Sequence, residues 1–149
     1  MIKILIDADL ILEILINRNA FGEDGSKLID IVHPSLQMYI TDIGWQKIYT
    51  YTKCLQNHKI AEIVINWLQD KIRICTVEKI VLQQARSSPL KDFESAVELV
   101  CVNCEELDAI VTHNLNNFAE APNKYWIWSL AELWVRVNLE LQLKATNYS

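Results

Sequence analysis

Short apolar runs of strand type alternate with longer amphipathic stretches along this chain, and that alternation is the strongest constraint on its fold. Ile2–Ile6 is an apolar run that ends at Asp7, and further strand-like runs cover residues 37–41, 72–77, 108–112 and 125–128. Between them apolar residues recur at helical spacing. The stripes are residues 10–16; Leu28, Ile29 and Val32; Trp45, Ile48, Tyr49 and Thr52; and Ile60, Ile63, Val64 and Trp67. Three more follow: residues 80–85; Phe93, Ala96, Val97, Val100 and Cys104; and Leu130, Leu133, Trp134, Val137 and Leu141. Phe21-Gly22, Pro34 and Ser87-Ser88-Pro89 supply breaks, while Asp92 and Ser129 are placed to cap helices. Strands joined through helices imply a parallel sheet covered on both faces. No linker, low-complexity tract or internal repeat interrupts the pattern, so residues 1–149 read as one domain.

Composition agrees. At 51% apolar and 22% charged, with 3 Gly and 3 Pro, the chain can bury a sizeable core and is neither fibrous nor disordered. No apolar run approaches the ~20 residues of a membrane helix. The opening MIKILIDAD meets a carboxylate after six residues, unlike a secretory leader. The expected compartment is the cytoplasm. The net charge of −5 is unevenly spread: residues 47–91 hold eight basic and three acidic side chains. That basic middle is either a phosphate-attracting surface beside an acid-lined site or a set of solvated helix faces.

In an open parallel sheet, ligands bind beyond the carboxyl ends of the strands. Asp7 and Asp9 follow the first strand, Asp42 the second, and His113, Asn114 and Asn117 the fourth; Asp92 and Glu94 open a helix. Converging carboxylates repel unless a cation neutralises them, and oxygen ligands without Cys or His suit Mg²⁺ or Mn²⁺. Asp and Asn after strands also serve simply as turn and cap formers. There is no P-loop, GxGxxG, GxSxG or HExxH. Cys101 and Cys104 form a CxxC within continuous helical periodicity, which reads as buried or half-buried thiols rather than a redox or zinc motif. Trp126 and Trp128 alternate on the last strand and are expected in the core.

Three segments resemble the PIN domain family. KILIDADLILEILINR is similar to its opening strand and helix. KDFESAVELVCVNCEELDAIVTHNLNNF resembles its DFEDA-type helix, strand and polar loop, and WSLAELWVRV fits its last strand-to-helix junction. The resemblance implies a three-layer α/β sandwich, with a central parallel sheet of four or five strands flanked by helices. It further implies a Mg²⁺ or Mn²⁺ site of three or four acids, RNA phosphodiester hydrolysis, an antitoxin partner and a homodimer.

Carried over residue by residue, Asp7 matches the first acid, and Asp9 sits where the family has Asn or Asp. The second acid falls at or near Lys47, the third on Ser95, and the last on Asn114 or Asn117. The catalytic candidates are Asp7, Asp92 and Glu94, with Asp7 and Asp9 as metal ligands. Lys53, Lys59, Arg86 and Lys91 are the RNA-binding candidates. Lys47 either stands in for a metal by pairing with Asp7 or points outward. The expected function is a metal-dependent endoribonuclease, the alternative an inactive module that binds RNA or protein, and a thiol module is a third reading.

Overall fold

The computed structural model describes residues 1–30, 33–55, 57–122 and 126–147. In chain order the elements are β1 (Ile2–Ile6), α1 (Ala8–Ile16), α2 (Arg18–Asp30), β2 (Leu36–Thr41), α3 (Asp42–Lys53), α4 (His58–Lys71) and β3 (Ile72–Cys75). Then come α5 (Lys79–Arg86), α6 (Phe93–Cys104), β4 (Ala109–Val111), a 3₁₀ turn at Leu115–Phe118, β5 (Ile127–Trp128) and α7 (Leu130–Asn147). Val32 and Tyr125, expected in a helix and a strand, lie outside the described residues.

The five strands form one sheet in the order β3-β2-β1-β4-β5, and every neighbouring pair is parallel. This is the expected α/β architecture. The chain builds outward from β1 through β2 to β3, then restarts on the other side with β4 and β5. The order therefore reverses beside β1, and the crevice at the carboxyl ends of β1 and β4 is the switch point of the sheet.

Strand alternation splits the core into two layers. Ile4 and Ile6 of β1 face one cluster with Leu10, Ile14, Ile48, Leu68, Leu133 and Val137, while Leu5 faces another with Val81, Val97, Cys101, Ile110 and Phe118. All of these side chains are buried. The sheet thus carries helices on both faces, α5 and α6 on one of them.

The break expected at Phe21-Gly22 is present: α2 kinks at Gly22, whose φ of 53° and ψ of −133° are non-helical and are adopted by glycine without Cβ strain. Two other sequence readings are corrected by packing. On α4 the buried residues are Val64, Trp67 and Leu68, whereas Ile60 and Ile63 are 50% and 60% exposed. On α6 the buried face is Ser95, Ala96, Val97, Glu98, Cys101 and Val102, with Phe93 and Cys104 exposed, so the expected stripe is rotated and carries two polar residues inward. Trp128 is buried as expected and Trp126 is half-buried. Among the described residues no helix is long and apolar enough to cross a membrane.

Candidate active site

Asp7 is the residue after β1 and the N-cap of α1. Its Oδ1 accepts from the Asp9 amide at 3.0 Å, and its Oδ2 accepts from the Thr112 hydroxyl at 2.7 Å. Its own amide donates to Val111 O at 3.0 Å, so both backbone and side chain tie the end of β1 to the end of β4. Thr112 Oγ1 in turn accepts from the Asn114 amide at 3.0 Å. Burial pushes the Asp7 carboxyl above its ordinary range. The two hydrogen bonds pull it back, Asp9 raises it further and His113 lowers it.

Asp9, in the first turn of α1, and Glu94, in the first turn of α6, complete a cluster. One carboxylate oxygen from each of Asp7, Asp9 and Glu94 lies within 4.8 Å of the others. Helix N-termini favour negative charge, which offsets part of the repulsion between them. Behind this group sits Glu98, one turn beyond Glu94 on the inward face of α6 and 3% exposed. Burial raises its pKa well above the carboxylate range, and the charges of Asp7, Glu94, Asp9 and Asp92 raise it further.

Lys47 points inward. Its Nζ donates to Asp9 Oδ1 at 2.5 Å and to Glu94 Oε2 and Oε1 at 3.1 and 3.3 Å. Neither reading of Lys47 holds as stated: it does not point outward, and its partners are Asp9 and Glu94 rather than Asp7, whose carboxylate is engaged by Thr112 and the Asp9 amide. Desolvation lowers the Lys47 pKa, but hydrogen bonds and charge from the two carboxylates outweigh it and raise the value overall. Gly44, one turn earlier on α3, explains the approach. A Cβ there would lie 3.1 Å from Ala8 Cβ, Ile40 Cγ1 and Thr41 Oγ1, so any larger residue would crowd the contact of α3 with the start of α1.

The other candidates are more dispersed. Asp92 is exposed and caps α6: its Oδ2 accepts from the Ser95 amide at 2.9 Å and the Ser95 hydroxyl at 2.6 Å. It stands outside the three-carboxylate group, and buried Ser95 turns its hydroxyl to that cap. Lys91 and Asp92 share a groove of about 470 Å³ with Asn116, Asn117 and Glu120, while Asn114 precedes the 3₁₀ turn. Lys53 ends α3, its Nζ 4.4 Å from the Tyr49 ring centre; Lys59 is the second residue of α4, after His58, and Arg86 ends α5. Lys53, Lys59 and Arg86 are all exposed, and none belongs to the acid cluster. Asp42, the first residue of α3, accepts from the Val77 amide at 3.2 Å through Oδ2.

Sequence reasoning missed Thr112 and Glu98. Thr112 follows β4 directly, so its place beside Asp7 could have been read once the strand order was known. Glu98 lies three residues after Ser95 and four after Glu94, the spacing of one helix face.

A sequence profile of the PIN domain matches residues 3–116. The chain belongs to the PIN domain family. No curated protein sequence matches it. Solved structures share the PIN fold at low identity. A toxin–antitoxin complex from Klebsiella pneumoniae superposes with a TM-score of 0.60 at 14% identity, over 85% of this chain and 96% of that one. DNA-bound VapBC from Salmonella typhimurium gives 0.64 at 14% identity, over 87% and 99%. FitAcB from Neisseria gonorrhoeae gives 0.63 at 18% identity, over 86% and 98%. The PIN domain implies a divalent cation, and the donor set fits one. Asp7, Asp9 and Glu94 offer hard oxygens with no sulfur or imidazole among them, and Glu98 adds a buried carboxyl behind them. Two of the three donors are shared with the Lys47 ammonium.

Proposed function

We propose that this PIN domain hydrolyses RNA phosphodiester bonds, with Mg²⁺ or Mn²⁺ held by Asp7, Asp9 and Glu94. The observation that carries the reading is the convergence of those carboxylates within 4.8 Å at the switch point of the sheet. A bound divalent cation would supply Lewis-acid polarisation of the phosphodiester and a more acidic water. The chain's own residues do the positioning. Thr112 and the Asp9 amide fix Asp7, and the first turn of α6 presents Glu94. Asp92 stands at the rim of the groove that Lys91, Asn116 and Asn117 line, a path along which an RNA strand would run. Lys53, Lys59 and Arg86 would add sequence-independent attraction for phosphates.

The same reading takes an antitoxin as protein partner, a second copy of the chain as dimer mate, and the cytoplasm as compartment. The Klebsiella pneumoniae toxin–antitoxin complex supports the first by analogy of fold.

A second reading, a PIN-like module that binds RNA or protein without turnover, is favoured by the position of Lys47. Its ammonium bonds two of the three acids, and the family positions at Ser95, Asn114 and Asn117 carry no charge. Incubation of single-stranded RNA with the purified chain separates the two. Cleavage that needs Mn²⁺ or Mg²⁺ and is lost in Asp7→Asn supports the nuclease. Salt-sensitive RNA binding with no cleavage under any divalent cation supports the module.

A further inference from the structure

We propose that Lys47 is a tethered competitor of the divalent cation: its ammonium and a metal ion exclude each other from the carboxylates of Asp9 and Glu94. The inference rests on the reading of Asp7, Asp9 and Glu94 as metal ligands and adds a residue that regulates access to them.

Geometry makes the exclusion direct. Lys47 Nζ bonds Asp9 Oδ1 and both oxygens of Glu94, so two of the three candidate ligands already hold a cation. Mg²⁺ requires oxygens at about 2.0–2.1 Å in near-octahedral array, which an ammonium bonded to the same oxygens blocks. Two positive charges inside a gap of this size also repel each other strongly. Lys47 has no need to diffuse to the site. Gly44 lets α3 pack against α1, so the ammonium is held near its partners at high effective concentration.

Glu98 gives the cluster a second feature pointing to a cation. It is 3% exposed and faces the combined charge of Asp7, Asp9 and Glu94. Lys47 reaches only the outer two of these acids, and among the described residues Asp7 and Glu98 have no ammonium partner. The lysine thus satisfies the rim of the cluster and leaves its floor to a cation that displaces it. Metal affinity in this chain is set by that displacement as well as by the ligands.

The test uses the full chain and Mn²⁺ alone. Binding is followed by the loss of the free-ion paramagnetic resonance signal, for wild type, Lys47→Gln and Asp9→Asn. Lys47→Gln should bind Mn²⁺ about tenfold more tightly than wild type, and Asp9→Asn more weakly. Equal affinity of wild type and Lys47→Gln, with loss in Asp9→Asn, overturns the competition and leaves the metal-ligand reading standing. Absence of binding at millimolar Mn²⁺ in both proteins overturns that reading, and the competition with it. A second measurement needs no variant. Acetylation of the Lys47 amine, mapped by mass spectrometry on wild type, should accelerate several-fold when Mn²⁺ saturates the protein, because the ammonium is released. An unchanged rate with Mn²⁺ bound overturns the exclusion.

Discussion

The hydroxyl of Thr112 donates to Asp7 Oδ2 over 2.7 Å and clasps the residue after β4 to the residue after β1 at the centre of the sheet. Thr112 is fully buried and Asp7 is 3% exposed, so neither can exchange the bond for one with bulk water. The contact is part of the fold and also fixes the first acid of the site.

Thr112→Val should therefore destabilise the protein by about 1–3 kcal/mol, the range for leaving a buried polar group without its partner. It strands both Asp7 Oδ2 and the Asn114 amide. Thr112→Ser, which keeps the hydroxyl, should lose less. Urea denaturation of the three proteins provides the comparison, and a valine variant as stable as wild type would show that the bond contributes nothing.

Glu98 makes stability depend on pH. Its folded pKa lies well above the ordinary 4.5. Its contribution is therefore fully present below about pH 4.5 and is lost as pH rises towards the folded value. As pH rises above that range the unfolded chain ionises this group more readily than the folded chain does. Glu98→Gln should raise the melting temperature at pH 7–8 without divalent cation, by about 2–4 °C or more, the change that ~1 kcal/mol produces in a domain of this length. The gain should shrink as pH approaches 4.5. Parallel melting curves across this range would refute the assignment.

Gly44 sets how closely α3 meets α1. Gly44→Val should cost about 1–3 kcal/mol, the usual penalty for overpacking, because the new side chain meets three atoms that its first carbon alone would already crowd. Calorimetry on the variant reads the loss. No change in melting temperature would mean that the helices separate freely and that Lys47 is not held by this packing.

The cysteines divide by burial. Cys54 and Cys104 are exposed, whereas burial pushes the thiols of Cys75 and Cys101 up to about 12. Iodoacetamide at pH 8 should add two groups to the native chain and four to the unfolded one. Rapid alkylation of Cys101 in the native state would revive a thiol-based role for the CxxC segment.

Local signals were the ones that survived from sequence to structure. Ile2–Ile6 reads as a strand and Asp92 as a cap from their immediate neighbours, and the structure places both so. The alternation of elements was enough for a parallel α/β sheet. Signals that depend on a helix's neighbours fared worse. The α6 stripe is correct in period but rotated, since Ser95 and Glu98 are buried and Phe93 is exposed. Without that rotation Glu98 reads as a surface acid. Lys47 entered only through the family resemblance, and its partners follow from how α1, α3 and α6 meet, which no single stretch encodes.

Because β1 lies third of five strands, with neighbours on both sides and helices over both faces, its amide protons should be among the slowest to exchange, released only when the whole molecule opens. Asp7 is therefore anchored to the last-melting part of the molecule, while Asp9, Glu94 and Lys47 ride on helices that can loosen sooner. Mild heating would scatter the outer three groups first and leave a single aspartate standing on an intact scaffold.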